Sequence, residues 1–138
     1  MPSIITFLDA NILITGCNTT DLAIAIRIAQ IINDPQRAFV TNDFLELEVL
    51  PKPVHNKQAP SVMFYRNYFA ACAYRIPTAP QLLADAFREA CQLGLSAPDA
   101  IHLATAHAAG AHEFITMEKL TKPMYQTSLV KVFHLSQV

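Results

Sequence analysis

The sequence predicts an α/β protein: a three-layer α/β/α sandwich with a central, mainly parallel sheet. Short apolar runs alternate with longer segments of helical periodicity along the chain. The first run, Ile4-Ile5-Thr6-Phe7-Leu8, is near-continuously hydrophobic, as a strand covered on both faces must be. Pro, Gly, Asn and Asp punctuate the boundaries between runs. Strands joined through helices pair in parallel with right-handed crossovers, and the helices then cover both faces of the sheet.

The first strand stops abruptly on Asp9, with Asn11 two residues on. Residues 15–20 read as a loop, with Thr20 as N-cap of a helix over 21–32 whose Leu22, Ile26 and Ala29 recur at helical spacing. Ile24, Ile28, Ile31 and Ile32 widen its apolar face, so it is expected to be well buried. Asn33-Asp34-Pro35 breaks it, and residues 37–41 form a short second strand around Ala38-Phe39-Val40. Asn42 or Asp43 caps a helix over 44–50, which Pro51 and Pro53 end, and the polar residues 54–59 read as a loop.

Pro60 suits the first turn of the next helix, which continues over 62–74 with Phe64, Tyr65, Tyr68, Phe69 and Cys72 on one broad side. Thr78-Ala79-Pro80-Gln81 has the pattern of a capping box and opens a helix that Gly94 stops. The grammar repeats at Ser96-Ala97-Pro98-Asp99, followed by a helix over 100–109 and by Gly110. Residues 113–117 are a strand around Phe114 and Ile115, and the alternation over 129–135 fits a strand near a sheet edge.

A chain of 138 residues with 52% hydrophobic and 15% charged residues is expected to fold as one domain, 1–138, around a substantial core. The net charge of −1 supplies no global basic field, so any nucleic-acid site must be a local patch. There is no basic N-terminal leader and no run approaching the roughly 18 apolar residues of a membrane span, which leads to the expectation of a cytoplasmic protein. Cys17, Cys72 and Cys91 are widely spaced and contain no CxxC pair, which excludes a zinc ribbon and reads as reduced thiols. His102 and His107 are five apart and no HExxH occurs, so a zinc hydrolase is not indicated. Asp99-x-x-His102 shares a helix face but occurs once, where a di-iron bundle needs two copies; His102 reads as a packed or hydrogen-bonded residue.

In an open parallel sheet ligands bind beyond the carboxyl ends of the strands, and four acids fall there. Asp9 follows the first strand, Glu48 lies in the helix after the second, Asp99 is in the first turn of the late helix, and Glu118 follows the strand over 113–117. Each also has a plain structural explanation. Asp9 can cap a turn, Asp99 can complete a capping box with Ser96, Glu48 can be a solvated helix residue, and Glu118 can be a surface charge beside Lys119. Their shared rim carries the argument, because converging carboxylates repel unless they share protons or bind cations. All-oxygen ligation points to Mg²⁺ or Mn²⁺, metals that activate water for phosphodiester cleavage.

Four fragments then resemble the motif blocks of PIN-domain proteins, especially the VapC-like toxin nucleases. They are Phe7-Leu8-Asp9-Ala10-Asn11-Ile12-Leu13, Asn42-Asp43-Phe44-Leu45-Glu46-Leu47-Glu48, the run from Gly94 through Asp99 to Ala106, and Phe114-Ile115-Thr116-Met117-Glu118. They stand in the family's order over nearly the whole chain. The resemblance implies a metal-dependent ribonuclease on a PIN-like fold, often dimeric, with Asp9, Glu48 and Asp99 as principal acids and Asn11 and Thr116 supporting them. It also implies an antitoxin partner where the protein is a toxin. Glu118 departs from the Asp of many such nucleases and sets its carboxylate about one methylene further out.

On this reading Asp9 and Asp99 hold the principal ion, Glu48 shares it and orients or deprotonates the attacking water, and Glu118 completes an outer position. Lys52, Lys57 and Arg66 after Glu48, and Lys119 and Lys122 after Glu118, are expected to meet RNA phosphates. Tyr65 and Tyr68 are weighed as stacking platforms for bases against packing in the core. A haloacid dehalogenase phosphatase also begins with a strand ending in Asp, but it needs a second Asp where this chain has Asn11. A non-catalytic PIN-like module that binds RNA or protein is the remaining alternative.

Overall fold

A computed structural model describes residues 2–138. Five strands form one all-parallel sheet in the order β3-β2-β1-β4-β5: β1 Ile4–Leu8, β2 Arg37–Thr41, β3 Tyr74–Arg75, β4 Glu113–Thr116 and β5 Val132–His134. Seven helices flank it: α1 Ala10–Asn18, α2 Leu22–Ile32, α3 Asp43–Val49, α4 Pro51–His55, α5 Ala59–Ala71, α6 Pro80–Leu93 and α7 Ala97–Ala108. The expected α/β/α sandwich is therefore the observed architecture. From central β1 the chain builds outward through β2 and β3, then returns to add β4 and β5 on the other side. The order thus reverses between β1 and β4, the place where a parallel sheet opens a crevice at its carboxyl edge.

The apolar runs fill this frame. Phe7, Leu8, Val40, Phe114 and Ile115 are buried, and the rings of Phe7 and Phe114 stack at 5.0 Å between centroids. A smaller cluster of Leu82, Ala86, Ala100, Ile101 and Ala104 joins α6 to α7. Polar groups pin the register of the central strands: Glu113 accepts from the Thr6 hydroxyl at 2.8 Å and from Arg37 at 2.7 Å, while Arg37 also reaches Asp34. His112 extends the β1 ladder by accepting the Ile5 amide on its Nδ1.

The structure corrects several boundaries. Much of the loop read over residues 15–20 belongs to α1, which begins directly after Asp9. The stretch Asn11 to Asn18 hides this helix because its β-branched residues and Gly16 are indifferent helix formers. Packing explains Gly16, since a Cβ there would lie 2.8 Å from Ile28 Cγ2. Asp21, and not Thr20, caps α2 by accepting from the amides of Ala23 and Ile24. That helix buries only one side, for Leu22 and Ile26 are 72% and 48% exposed.

Pro51 opens α4 where a loop was expected, because proline is as well suited to a first helical turn as to ending the previous helix. α5 ends at Ala71, and Tyr74 pairs with Val40 as an edge strand instead of continuing the helix. Ala79 caps α6 without a side-chain bond, so the Thr78 box does not form. Gly94 and Gly110 adopt φ of 71° and 68°, the left-handed conformation that ends α6 and α7 at little steric cost. The final strand is confined to Val132–His134.

Candidate active site

The crevice between β1 and β4 holds Asp9, which is 5% exposed. Its Oδ1 accepts from the Ala10 amide at 2.9 Å, capping α1, and its Oδ2 accepts from the Thr116 hydroxyl at 2.8 Å. Thr116 is the hub that ties the two strand ends together. Its oxygen also accepts from Asn11 Nδ2 at 3.2 Å and from the Glu118 amide at 3.1 Å, while Asn11 Oδ1 accepts from the Met117 amide at 3.0 Å. Asn11 and Thr116 thus fix the direction of the Asp9 carboxylate and the start of the Glu118 loop.

The Asp9 pKa is raised from 3.8 to about 6, chiefly by burial and in smaller part by the negative charge of Asp99. His102, the Thr116 hydroxyl and the Ala10 amide oppose that rise without cancelling it. Asp99 stands in the first turn of α7, where the Ser96 hydroxyl accepts from its amide at 3.4 Å. Ser96 is therefore the cap, as the sequence indicates, and the Asp99 side chain is left facing Asp9 electrostatically. Glu118 approaches from the β4 side: its carbonyl accepts from the Tyr125 hydroxyl at 2.6 Å, and the charges of Glu118 and Asp9 help burial to raise the Tyr125 pKa.

Glu48 takes a different partner. Its Oε1 is hydrogen-bonded to Nε2 of His102, a side chain 1% exposed that lies against the Phe7 ring at 5.2 Å. Asn42 stands behind the imidazole, 3.5 Å from its Nδ1. It caps α3 through the Leu45 amide at 2.7 Å and donates to the Thr105 hydroxyl at 2.6 Å. A chain of contacts from buried Thr105, Asn42 and His102 to the exposed Glu48 therefore links α7 to α3. Glu46 is spoken for elsewhere, in an ion pair with Arg75.

Asp9 and Asp99 interact electrostatically, whereas Glu48 is bonded to His102 and Glu118 follows the end of β4. Among the described residues no group of three or more His, Cys, Asp and Glu side chains is close enough to grip one ion. The donor set nonetheless suits a hard cation held by few protein oxygens. Asp9 is a buried carboxylate without a neighbouring Lys or Arg partner and faces a second carboxylate, and Mg²⁺ commonly binds through one or two carboxylates while keeping several waters. A thiolate or imidazole cage of the zinc type is absent among the described residues.

Three of the five basic residues line two hollows. Lys52 lines a cleft of about 380 Å³ together with Glu48. Lys57 and Arg66 line a neighbouring groove of about 520 Å³ with Val54 and Met63. Lys119 and Lys122 are exposed beyond Glu118. Tyr65 and Tyr68 are 3% and 5% exposed, so both pack in the core, and Tyr65 also lines the cleft that holds Lys52. What sequence reading missed is the partnership of His102, Asn42 and Thr105. The spacing of Asp99, His102 and Thr105 on one helix marks a polar stripe, but nothing in it names Glu48 as the partner.

No family model matches the chain, and no curated protein matches it in sequence. Solved structures do match in shape. A chain of the VapBC2 complex of Rickettsia felis, crystallised with a promoter DNA fragment, aligns at a TM-score of 0.71 over 95% of this chain and 98% of its own, with 11% identity. A chain of a toxin-antitoxin complex from Klebsiella pneumoniae gives 0.66 over 91% and 94%, with 23% identity. A chain of FitAcB from Neisseria gonorrhoeae gives 0.59 over 96% and 99%, with 15% identity. Each alignment runs nearly end to end in both partners, and with the parallel sheet and the carboxylate crevice it gives this chain the VapC-like fold of PIN-domain proteins.

Proposed function

We propose that this protein is a Mg²⁺- or Mn²⁺-dependent endoribonuclease and the toxin of a type II toxin-antitoxin pair, its partner an antitoxin protein. The observation that carries this reading is Asp9, a carboxylate buried at the switch point of the sheet with its pKa raised to about 6 and Asp99 opposite. A side chain so placed gains by meeting a cation. Asp9 and Asp99 would hold the ion, with Glu118 in an outer position. When bound, the metal would polarise the scissile phosphate and supply a nucleophilic water near neutral pH.

The chain's own residues do the remainder. Thr116 and Asn11 keep the Asp9 carboxylate aimed into the crevice. His102 fixes Glu48 through Oε1, which leaves Oε2 as the acceptor for a proton from water. Lys52 beside Glu48, with Lys57, Arg66, Lys119 and Lys122 further out, would contact the RNA backbone and offset the repulsion between polyanion and acids. Self-association into a homodimer is proposed through the exposed Leu22 and Ile26 of α2, since the aromatic residues Tyr65, Tyr68 and Phe69 of α5 are consumed by the core.

Incubation of the purified protein with mixed-sequence RNA tests this. Cleavage is expected in Mg²⁺ or Mn²⁺, stopped by chelation and lost in Asp9→Asn and Asp99→Asn. Absence of cleavage by the wild-type protein under these conditions rejects the enzyme. A second reading, a PIN-like module that binds RNA or protein without turnover, is favoured by one observation: Glu48 is engaged by His102 instead of joining Asp9 and Asp99. Retained RNA binding with no metal-dependent cleavage is its signature.

A further inference from the structure

The 380 Å³ cleft beside Glu48 has a chemistry distinct from the carboxylate crevice. Ile14, Val49, Pro53 and Tyr65 contribute apolar surface, and three carboxamides, Asn18, Asn56 and Gln58, line it with Lys52 and Ser61. Asn18 spends one amide hydrogen on the Ile14 carbonyl, which leaves its Oδ1 as an acceptor. The turn that presents Asn56 and Gln58 is built around Lys57, whose φ of 54° is a left-handed conformation that a lysine seldom adopts. That turn sends Lys57 to the neighbouring groove while Asn56 and Gln58 line the cleft.

We propose that this cleft is a nucleobase pocket, which reads the base next to the scissile phosphate of a single-stranded RNA. The inference rests on the ribonuclease reading and adds to it a specificity site. Carboxamides present a donor and an acceptor side by side, the pattern of base edges, and Asn and Gln pair bidentately with such edges. Apolar side chains beside these carboxamides suit an unstacked base, the form in which RNA sequence is read. The cleft holds one Lys and one Glu, so its charge does not select a free anion or a multiply charged peptide. Its volume lies toward the small end of ligand pockets and suits one nucleoside.

Position supports the same conclusion. Glu48 lies at once on the wall of the cleft and on the catalytic rim, through His102. Helix α1 runs from one to the other: Asp9 caps it, Asn11 lies in its first turn, and Ile14 and Asn18 line the cleft on successive turns. Asn18 is roughly 10 Å further along the axis than Asn11 at the helical rise. A nucleotide with its phosphate at Asp9 and Asp99 can therefore place its neighbour's base between Asn18 and Gln58, with Lys52 beside the intervening phosphate.

Titration of the full chain with each of the four ribonucleoside 5′-monophosphates, followed by NMR of the side-chain amides, tests the pocket. One base is expected to shift the Asn18, Asn56 and Gln58 signals in preference to the other three. The Asn56→Ala/Gln58→Ala double variant is expected to bind that nucleotide about tenfold more weakly and to lose the discrimination. Equal shifts with all four nucleotides and with ribose 5-phosphate overturn the proposal. So does the absence of any shift, which would leave the cleft to a side chain of a protein partner. In a parallel arm, cut positions are mapped on mixed-sequence RNA. Selective nucleotide binding without cleavage would reject the nuclease and keep the pocket, whereas cleavage with a base preference retained in the double variant would keep the nuclease and reject the pocket.

Discussion

Asp9 is a buried carboxylate with a raised pKa, and the consequence can be measured without an activity assay. Its pKa is raised from 3.8 to about 6 in the fold, so between these values the native state holds a proton that the unfolded chain has released. The Asp9 contribution to stability is therefore greatest below pH 4, falls as pH rises through 6, and leaves the metal-free protein about 3 kcal/mol less stable above that range than a permanently neutral side chain would. The thermal midpoint of the wild-type protein relative to Asp9→Asn should fall between pH 4 and 7. Mg²⁺ should raise the wild-type midpoint at pH 7.5 and leave that of Asp9→Asn unmoved. His102 acts through Glu48. On the proposed ribonuclease reading, His102→Leu is expected to lower the turnover number for RNA about 10- to 100-fold with little change in KM, and His102→Gln, which still offers a donor, to recover part of it. Asp9 and Glu118 stand out as single residues because each follows a strand, and Asp99 because it lies in a first helical turn. The His102 to Glu48 bond does not, since it joins side chains 54 residues apart and depends on how α3 packs on α7.

Among the elements, α3 depends on Asn42 more than its single residue suggests. This side chain caps the helix, supports His102 and binds Thr105, and it is 1% exposed. Replacement by Ala removes the cap and leaves a buried hydroxyl without its donor, at an expected cost of about 2 kcal/mol in denaturant unfolding. Helix α1 is constrained at Gly16, where the Ile28 methyl leaves no space for a Cβ. Gly16→Val should destabilise by about 1–3 kcal/mol, read from the same unfolding curves, because the clash of the branched side chain with buried Ile28 outweighs its small gain in helix propensity over glycine. These two elements show where sequence reading ends. Asn42 announces α3 by its residue type, whereas α1 is held in place by what it touches, and Ile12, Leu13 and Ile14 would serve a strand as readily as a helix. The same ambiguity hid α4, since Pro51 is compatible with a stop or a start.

At the scale of the molecule, the sandwich could be read from the alternation of segments, and the strand order could not. Placing β1 in the centre follows from pairing with strands on both sides, a long-range fact carried by Thr6, Arg37 and Glu113. These groups are largely buried, so Arg37→Met strands the Glu113 carboxylate without its counter-charge. A loss of about 3 kcal/mol or more is expected in equilibrium unfolding. Replacing both Arg37 and Glu113 by apolar residues should recover much of that loss, because the penalty lies in the unpaired charge.

The hub at Thr116 also sets a timetable for biosynthesis. Asp9 and Thr116 are separated by 107 residues, as are Thr6 and Glu113, so a nascent polypeptide truncated before β4 has only half a sheet, with one flank of β1 open. Its acidic crevice comes into being only when residues 113–118 have left the ribosome, and whatever chemistry that crevice performs is withheld from the cell until then.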